Sequence, residues 1–454
     1  MAKSTDIRVV SSELFFLPVK MRLPLKFGSE VMTELTCARA RVTVRKADGA
    51  TACGWGETPL SVGWSWPSKT SYFEREEAMK AFCRTLNDAW SAFAGTGHPM
   101  EIGSAFLEDM LEKLRAEFNA SRSEPLPHLA ALICDSAFDL ALHDAYGMVN
   151  GVPTYATYNA KYMNRDLAAY FSDPAFAGRY PEDYFVKDAP VELPVWHLVG
   201  GKDLLTDAER TGSEPDDGIP VTLIEWIRRD GLKCLKIKLG GVDAEWDFKR
   251  LVEVGKLAAE YGADWLSPDF NCMVKDPAYV TNVLDRLMRE APATYGRILY
   301  VEQPFPYDLE ANRIDVHAVS ARKPLFMDES AHDWRFVKLG RSLGWTGVAL
   351  KVCKTQTGAL LSMAWAKHHG MTLMVQDLTN PMLAIIPHFL LAAHAGTIMG
   401  VECNAAQFYP AASDAEARLF PDLYRRRNGV VAFRSPGRAG FGYRADEIDR
   451  KLPC

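Results

Sequence analysis

Two lysines share one short apolar run at a spacing suited to proton chemistry. The run from Leu235 to Leu239 has the alternation of a buried strand, with Lys236 and Lys238 two residues apart. Because side chains alternate between the faces of a strand, both ammonium groups point the same way. Like charges this close lower each other's pKa, which is one route to a neutral, basic amine near pH 7. The plainer interpretation is a strand edge with lysines in water, and this stretch alone favours neither.

The next three apolar runs each end in a carboxylate. They finish at Asp269, Glu302 and Asp328, and the run after them ends at Lys351. One such carboxylate could simply cap the following helix. Three in succession, bracketed by lysines, predict a single site where strand ends converge. Oxygen ligands from separate strands predict Mg2+, with Mn2+ as the second choice.

This set of residues suits the removal of a proton beside a carboxylate. A metal that holds the substrate carboxylate stabilises the enolate as charge develops. We expect the metal and Lys236 to keep Lys238 as a free amine, while Lys351 approaches from across the site. Lysines beside a divalent cation therefore predict enolate chemistry on a small carboxylate.

The elements that position these residues form a repeating pattern from Leu193 onwards. Strand-like runs alternate with helical stretches, and eight such units predict an α/β fold with a TIM-like (β/α)7–8 barrel. The predicted strands are 193–199, 233–239, 264–269, 298–302, 324–328, 347–351, 371–376 and 397–402.

The remainder of the chain is predicted to cap this barrel. Early strands joined by a loop over Arg22–Gly28, followed by helical patterns over 72–93, 101–118 and 128–149, predict an α+β capping domain. We divide the chain into a capping domain, an inserted connection, the barrel and a C-terminal segment that returns to the capping domain. Their predicted ranges are 1–160, 161–192, 193–409 and 410–454.

The composition of the chain argues against several classes of binding partner. The 454 residues carry a formal charge of -6 without a basic run, which argues against nucleic acid and membrane surfaces. No apolar run approaches the roughly 18–20 residues of a membrane-spanning helix. Nine scattered cysteines without a Cys-x-x-Cys pair suit a reducing cytoplasm better than a disulfide framework or a zinc site.

The motifs, taken together, resemble a known family. Lys-x-Lys, Asp-x-Asn, Glu-Gln-Pro and Asp-Glu-Ser follow one another in the order of the enolase superfamily, within its muconate-lactonizing subgroup. The segments Gly54–Glu57 and Ser136–Asp144 resemble its capping domain. The resemblance implies metal ligands at Asp269, Glu302 and Asp328, acid/base roles for Lys238 and Lys351 with Lys236 as helper, and a homo-oligomer.

The same resemblance implies substrate contacts from two loops, 22–30 and 59–66, and from strand ends. The candidates are Lys26, Phe27, Asn271, Gln376, Asp377 and Glu402. For Gln376, Asp377 and Glu402, helix capping is an equally good interpretation. Trp64 and Trp66 either shield the site from water or pack between domains.

The chain also departs from the family pattern. The paired glycine that usually follows the second lysine strand is replaced by Lys354-Thr355-Gln356-Thr357-Gly358. Strand seven ends without a His-Asp dyad. Glu402-Cys403-Asn404 replaces the Asp-x-Asp with which dipeptide epimerases hold an amino group, which counts against a dipeptide substrate.

Several functions remain open on sequence alone. We expect an isomerase, either a racemase or epimerase or a cycloisomerase, and the alternative on the same site is a lyase that dehydrates an acid sugar or hydroxy acid. A Schiff-base aldolase also uses a barrel lysine but needs no run of carboxylates. A non-catalytic binding barrel should have lost a ligand or a lysine, and here none is missing.

Overall fold

The computed structural model describes residues 2–27, 30–434 and 438–453. Its strands are β1 (Ile7–Phe27), β2 (Glu30–Lys46), β3 (Thr51–Pro59), β4 (Thr96–Gly97), β5 (Glu192–Val199), β6 (Cys234–Lys238), β7 (Trp265–Asp269), β8 (Val301–Glu302), β9 (Leu325–Met327), β10 (Gly347–Leu350), β11 (Thr372–Val375), β12 (Val401–Glu402) and β13 (Val430–Ala432).

The helices are α1 (Val62–Ser65), α2 (Tyr72–Ala92), α3 (Pro99–Phe106), α4 (Glu112–Asn119), α5 (His128–Asn150), α6 (Leu167–Phe171), α7 (Leu223–Asp230), α8 (Ala244–Tyr261), α9 (Pro277–Glu290), α10 (Pro292–Arg297), α11 (His317–Ser320), α12 (Trp334–Leu343), α13 (Gln356–His368), α14 (Ile385–Ala395), α15 (Ala405–Phe408), α16 (Asp414–Ala417) and α17 (Pro421–Tyr424). No helix in the described ranges is long and apolar enough to cross a membrane.

The N-terminal sheet is antiparallel, in the order β3-β2-β1-β4. Its long β1–β2 hairpin corrects the loop predicted over 22–28, because residues through Phe27 are strand, and Leu25 pairs with Met32. The proline that suggested a loop, Pro24, lies in a register shift between Lys20 and Leu25, where the ladder does not need its missing N–H. Gly28 and Ser29 lie outside the described residues.

Helix α5 packs directly onto β3, and two glycines allow the close approach. A Cβ added at Gly56 would lie 2.1 Å from the carbonyl oxygen of Ala137, and one at Gly54 would lie 2.1 Å from the amide nitrogen of Ala145. Both obstacles are backbone atoms of α5, so the sheet and the helix would have to separate. This contact fixes the position of the capping domain's main helix.

The Gly56→Ala substitution is therefore expected to destabilise the protein by about 3 kcal/mol, at the upper end of typical overpacking costs. Gly296→Ala is the matched control, because an added Cβ there meets no atom of the described residues within 4 Å. We expect the control to change stability by less than about 1 kcal/mol. Urea unfolding followed by circular dichroism measures both. Equal midpoints for the two variants would contradict this packing argument.

Eight parallel strands form a nearly closed barrel, which confirms the predicted fold. The hydrogen-bonded order is β11-β10-β9-β8-β7-β6-β5-β12. Between the two ends of this path, one backbone hydrogen bond runs from Ile398 to the carbonyl of Leu373 at 2.7 Å. All eight predicted strand regions contain a strand, mostly shorter than predicted.

The C-terminal segment contacts both the barrel and the capping domain. β13 pairs antiparallel with β5, the first barrel strand. The amide of Phe441 donates to Asp144 of α5 at 2.7 Å, and Glu416 pairs with Arg39 of β2 at 3.4 Å. Burial raises the pKa of Asp144 to about 7, although the amides of Phe441 and Trp55 counteract that shift. The exact limits of the four predicted domains remain predictions.

Candidate active site

Strand register brings the predicted chemical residues side by side. Lys238 at the end of β6 pairs with Asp269 at the end of β7, which pairs with Glu302 of β8. Asp328 follows directly after β9, and Lys351 directly after β10. All five side chains are buried. Because parallel strands end on the same rim of a barrel, these groups share one mouth.

Lys236 lies at the centre of the carboxylates. Its Nζ is 2.6 Å from Glu302 Oε1, 3.2 Å from Asp269 Oδ2 and 3.3 Å from Glu402 Oε2. Burial disfavours the ammonium form, but attraction to Glu302, Glu402 and Asp269 outweighs it, so the pKa of Lys236 is raised. The expected lowering by a neighbouring lysine is therefore wrong for Lys236, because carboxylates dominate its surroundings.

Lys238 pairs with a carboxylate that Lys236 also contacts. Its Nζ donates to Asp269 Oδ2 at 2.5 Å. Burial would raise the pKa of the Asp269 carboxyl, but the charges of Lys238 and Lys236 reverse that effect and hold this pKa below its ordinary value. Asp269 is therefore a carboxylate held between two lysines.

Lys351 lies on the opposite side of the mouth. In the ring of eight strands, β10 and β6 are four positions apart. Lys351 Nζ is 3.2 Å from Asp328 Oδ2, donates to the carbonyl of Asp377 at 3.0 Å and lies 5.0 Å from the ring centre of Trp64. Burial lowers the pKa of Lys351, but attraction to Asp328 outweighs burial, and the net shift is upward.

A cavity of about 40 Å3 lies over this cluster, between the barrel mouth and the capping domain. Lys236, Lys238 and Lys351 all line it, together with Asp328. The capping domain closes it with Leu25 and Met32 of the long hairpin and with Ser61 and Trp64 of the following segment. Both segments that were predicted to contact substrate thus contribute to the lining, and they place apolar side chains opposite the charged groups of the barrel. Substrate contact by these segments stays a prediction.

The sequence matches one family model across more than half of the chain. This model, described as "Enolase C-terminal domain-like", covers residues 221–449. The chain belongs to the enolase superfamily. It is an enzyme of the group that includes mandelate racemase and the muconate lactonizing enzymes. No curated protein matches the sequence.

Solved structures of superfamily members share the fold over nearly the whole chain. The L-Ala-D/L-Glu epimerase from Bacillus subtilis is 19% identical, with a TM-score of 0.64 over 96% of this chain and 98% of its own. A dipeptide epimerase from Enterococcus faecalis, complexed with Mg and L-Leu-L-Tyr, is 16% identical, with a TM-score of 0.62 over 96% and 99%. Muconate lactonizing enzyme from Pseudomonas fluorescens, complexed with muconolactone, is 16% identical, with a TM-score of 0.57 over 96% and 96%.

The predicted substrate contacts of this superfamily member divide into two groups. Asp377 and Glu402 line the cavity. Gln376 instead donates to the Glu302 carboxylate and, at 3.2 Å, to the hydroxyl of Tyr300. Asn271 donates to Glu329 at 3.3 Å. Gln376 and Asn271 thus contact carboxylates of the cluster and its surroundings.

The structure provides little information on the two predicted substrate contacts in the capping domain, Lys26 and Phe27. The carbonyl of Lys26 accepts the amide of Gly201 at 3.3 Å, while its neighbour Leu25 lines the cavity. The side chain of Phe27 lies outside the described residues. Substrate contact by Lys26 and Phe27 remains a prediction.

Two residues that position Asp328 were missed from sequence. The side-chain oxygen of Gln303 accepts the amide of Asp328 at 2.7 Å and the hydroxyl of Ser330 at 2.8 Å, and its backbone φ is 28°. Lys354 donates to the carbonyl of Asp328. Gln303 belongs to the Glu-Gln-Pro motif, and Lys354 follows Lys351 by three residues. Both lie in or next to motifs that the sequence singles out, but neither was predicted to have a role.

The chemistry of the three carboxylates fits a divalent cation. Glu302 Oε1 and Asp328 Oδ1 are buried, and the ammonium groups of Lys236, at 2.6 Å, and Lys354, at 3.6 Å, are their charge partners. Within the same residues, no three carboxylate, imidazole or thiol groups converge on one point as they stand. Lys236 Nζ lies between Glu302 and Asp269. Binding a cation therefore requires the Lys236 ammonium to withdraw.

Proposed function

We propose that this enzyme uses Mg2+ to remove the proton alpha to a carboxylate through an enolate, and that it acts as an isomerase on a small carboxylic acid. One observation carries the proposal. Lys238 and Lys351 approach the same buried cavity from strands four positions apart in an eight-stranded ring. An acid/base group on each side of a planar enolate is what proton transfer between its faces needs.

Asp269, Glu302 and Asp328 would hold the cation. When bound, Mg2+ supplies a positive charge that binds the substrate carboxylate and stabilises the developing enolate. Support comes from the burial of all three carboxylates and from the related epimerase that is complexed with Mg.

The lysines would move the proton. Lys238 takes it from, or returns it to, one face of the alpha carbon, and Lys351 serves the other face. Lys236, once it has withdrawn from Glu302, would still contribute positive charge beside the site. Trp64, Leu25 and Met32 exclude water from above, which strengthens electrostatic interactions in the cavity.

The small cavity and its lining favour a compact acid. Glu402 accepts a hydrogen bond from the side-chain amide of Asn404 at 2.9 Å and contacts Lys236. The carboxylate at the end of β12 therefore already has partners. This pairing supports the inference that the substrate carries no amino group bound there, in contrast to a dipeptide.

The test is a screen of enantiopure small carboxylic acids with the Mg2+-loaded protein, followed by chiral chromatography. We expect the opposite enantiomer to accumulate with at least one acid. Formation of an unsaturated or keto acid instead would replace the isomerase with the lyase alternative. A product captured on the protein by borohydride would identify a Schiff-base enzyme.

Lys354 gives a prediction of its own. Because it holds the carbonyl of Asp328, Lys354→Met is expected to weaken Mg2+ binding by about 10-fold to 100-fold, as outer-shell changes do. Isothermal titration calorimetry with Mg2+ measures this. Lys367→Met is the control, since Lys367 likewise donates to a backbone carbonyl, that of Ala395 at 2.9 Å, away from the site. Equal affinities for both variants would contradict the assigned contact.

A further inference from the structure

A second and larger cavity lies beside the barrel mouth. It has a volume of about 580 Å3, within the range of small-molecule sites, and lies between the capping domain and the barrel. Leu107, Leu111 and Leu132 form part of the capping-domain wall, and Trp334 and Phe336 part of the barrel wall. The proposed reaction uses none of these side chains.

One wall of this cavity carries a buried histidine that has no hydrogen-bond partner among the described residues. His332 is only 7% exposed, and both of its ring nitrogens are buried without a hydrogen bond to any described residue. Aromatic rings surround it, with Phe336 at 4.8 Å and Tyr307 at 5.9 Å between ring centres. Burial, then the charges of His128 and Lys354, lowers its pKa, so the neutral imidazole offers one donor and one acceptor. A buried polar group in this state normally finds a partner.

The other charged groups of the cavity distinguish its rim from its interior. At the rim, Glu108 pairs with Arg335 at 2.7 Å and Glu112 with Arg115 at 2.6 Å. Arg335 also lies 3.5 Å from Asp333, and the remaining acids that line the cavity, Asp308 and Glu310, are exposed. In the interior, the buried Lys354 also lines the cavity. The interior thus presents an ammonium and an imidazole against leucine and aromatic side chains.

We infer that this cavity binds a small carboxylic acid with an apolar or aromatic body. The carboxylate would accept hydrogen bonds from His332 and Lys354, and the body would lie among Leu107, Leu111 and Trp334. Lys354 also donates to the carbonyl of Asp328. The bound acid therefore contacts a residue that touches the catalytic cluster, without entering the mouth. This inference does not depend on the proposed reaction.

The experiment is fluorine NMR of 4-fluorophenylacetate with the full-length, Mg2+-loaded protein. Two variants target the cavity. His332→Leu removes the ring nitrogens at similar size, and Leu107→Trp fills space from a half-buried position. We expect binding to weaken by about tenfold in the first, as for a lost hydrogen bond to a charged group, and to disappear in the second.

Lys238→Ala separates this cavity from the mouth. The proposal expects binding to survive in Lys238→Ala whether or not that variant retains any reaction. Binding that is lost in Lys238→Ala but kept in both cavity variants would place the probe in the mouth and overturn the inference. No binding by the folded wild-type protein would also overturn it. Circular dichroism checks that each variant folds. If His332→Leu does not fold, Leu107→Trp still tests the inference.

Discussion

Replacing Lys238 or Lys351 by methionine is expected to abolish isomerisation, with a loss of about 1,000-fold or more in kcat for each. General acid–base groups contribute about 100-fold to 10,000-fold, and proton transfer across the enolate needs both lysines. The two variants should differ in one respect. Because the lysines approach from strands four positions apart, each variant should retain alpha-proton exchange for one enantiomer only, and opposite enantiomers in the two cases.

Both enantiomers of an active substrate, incubated separately in D2O, give this measurement by mass spectrometry. Lys249→Met is the control, because Lys249 lies on the surface and pairs with the exposed Glu245 at 3.4 Å. Loss of exchange for the same enantiomer in both variants would contradict the placement of the lysines on opposite faces. Full turnover in either variant would contradict its acid/base role.

Glu302→Gln is expected to weaken Mg2+ binding by about 100-fold or more and to remove activity with it. The substitution keeps the volume of a buried side chain but removes one of three negative charges that would hold the cation. Chelation by EDTA should remove wild-type activity in the same way, and added Mg2+ should restore it in the wild type alone.

Glu402→Gln is the matched control for this change. Both carboxylates are buried and contact Lys236 Nζ, Glu302 at 2.6 Å and Glu402 at 3.3 Å, but only Glu302 is assigned to the cation. Calorimetry should therefore give near wild-type Mg2+ affinity for Glu402→Gln. Weaker Mg2+ binding by Glu402→Gln than by Glu302→Gln would instead place the cation site nearer to β12, which carries Glu402.

The grouping of the three carboxylates could be predicted from sequence, because one geometric rule determines where the ends of barrel strands lie. The ends of parallel barrel strands meet at one rim, so the positions of Asp269, Glu302 and Asp328 along the chain were enough to group them. The close packing of Gly54 and Gly56 on α5, in contrast, was not predicted, because the sequence indicated only a strand there.

What sequence missed depends on contacts between distant segments. The raised pKa of Lys236 follows from carboxylates contributed by separate strands, which outweigh the effect of burial. Pro24 indicated a loop because local propensity carries no information on the register shift that accommodates it. The cavity around His332 is formed where the capping domain packs on the barrel. The hydrophobic periodicity of a sequence does not predict a cavity between two domains.

Deuterium incorporation at the alpha carbon reports metal-dependent removal of an alpha proton. Candidate carboxylic acids are incubated in D2O with the protein, with Mg2+ or with EDTA, and followed by proton NMR. We predict loss of the alpha-proton signal of at least one acid with Mg2+, none with EDTA, and none in a Lys238→Ala, Lys351→Ala double variant. Exchange that persists in EDTA or in the double variant would contradict the account.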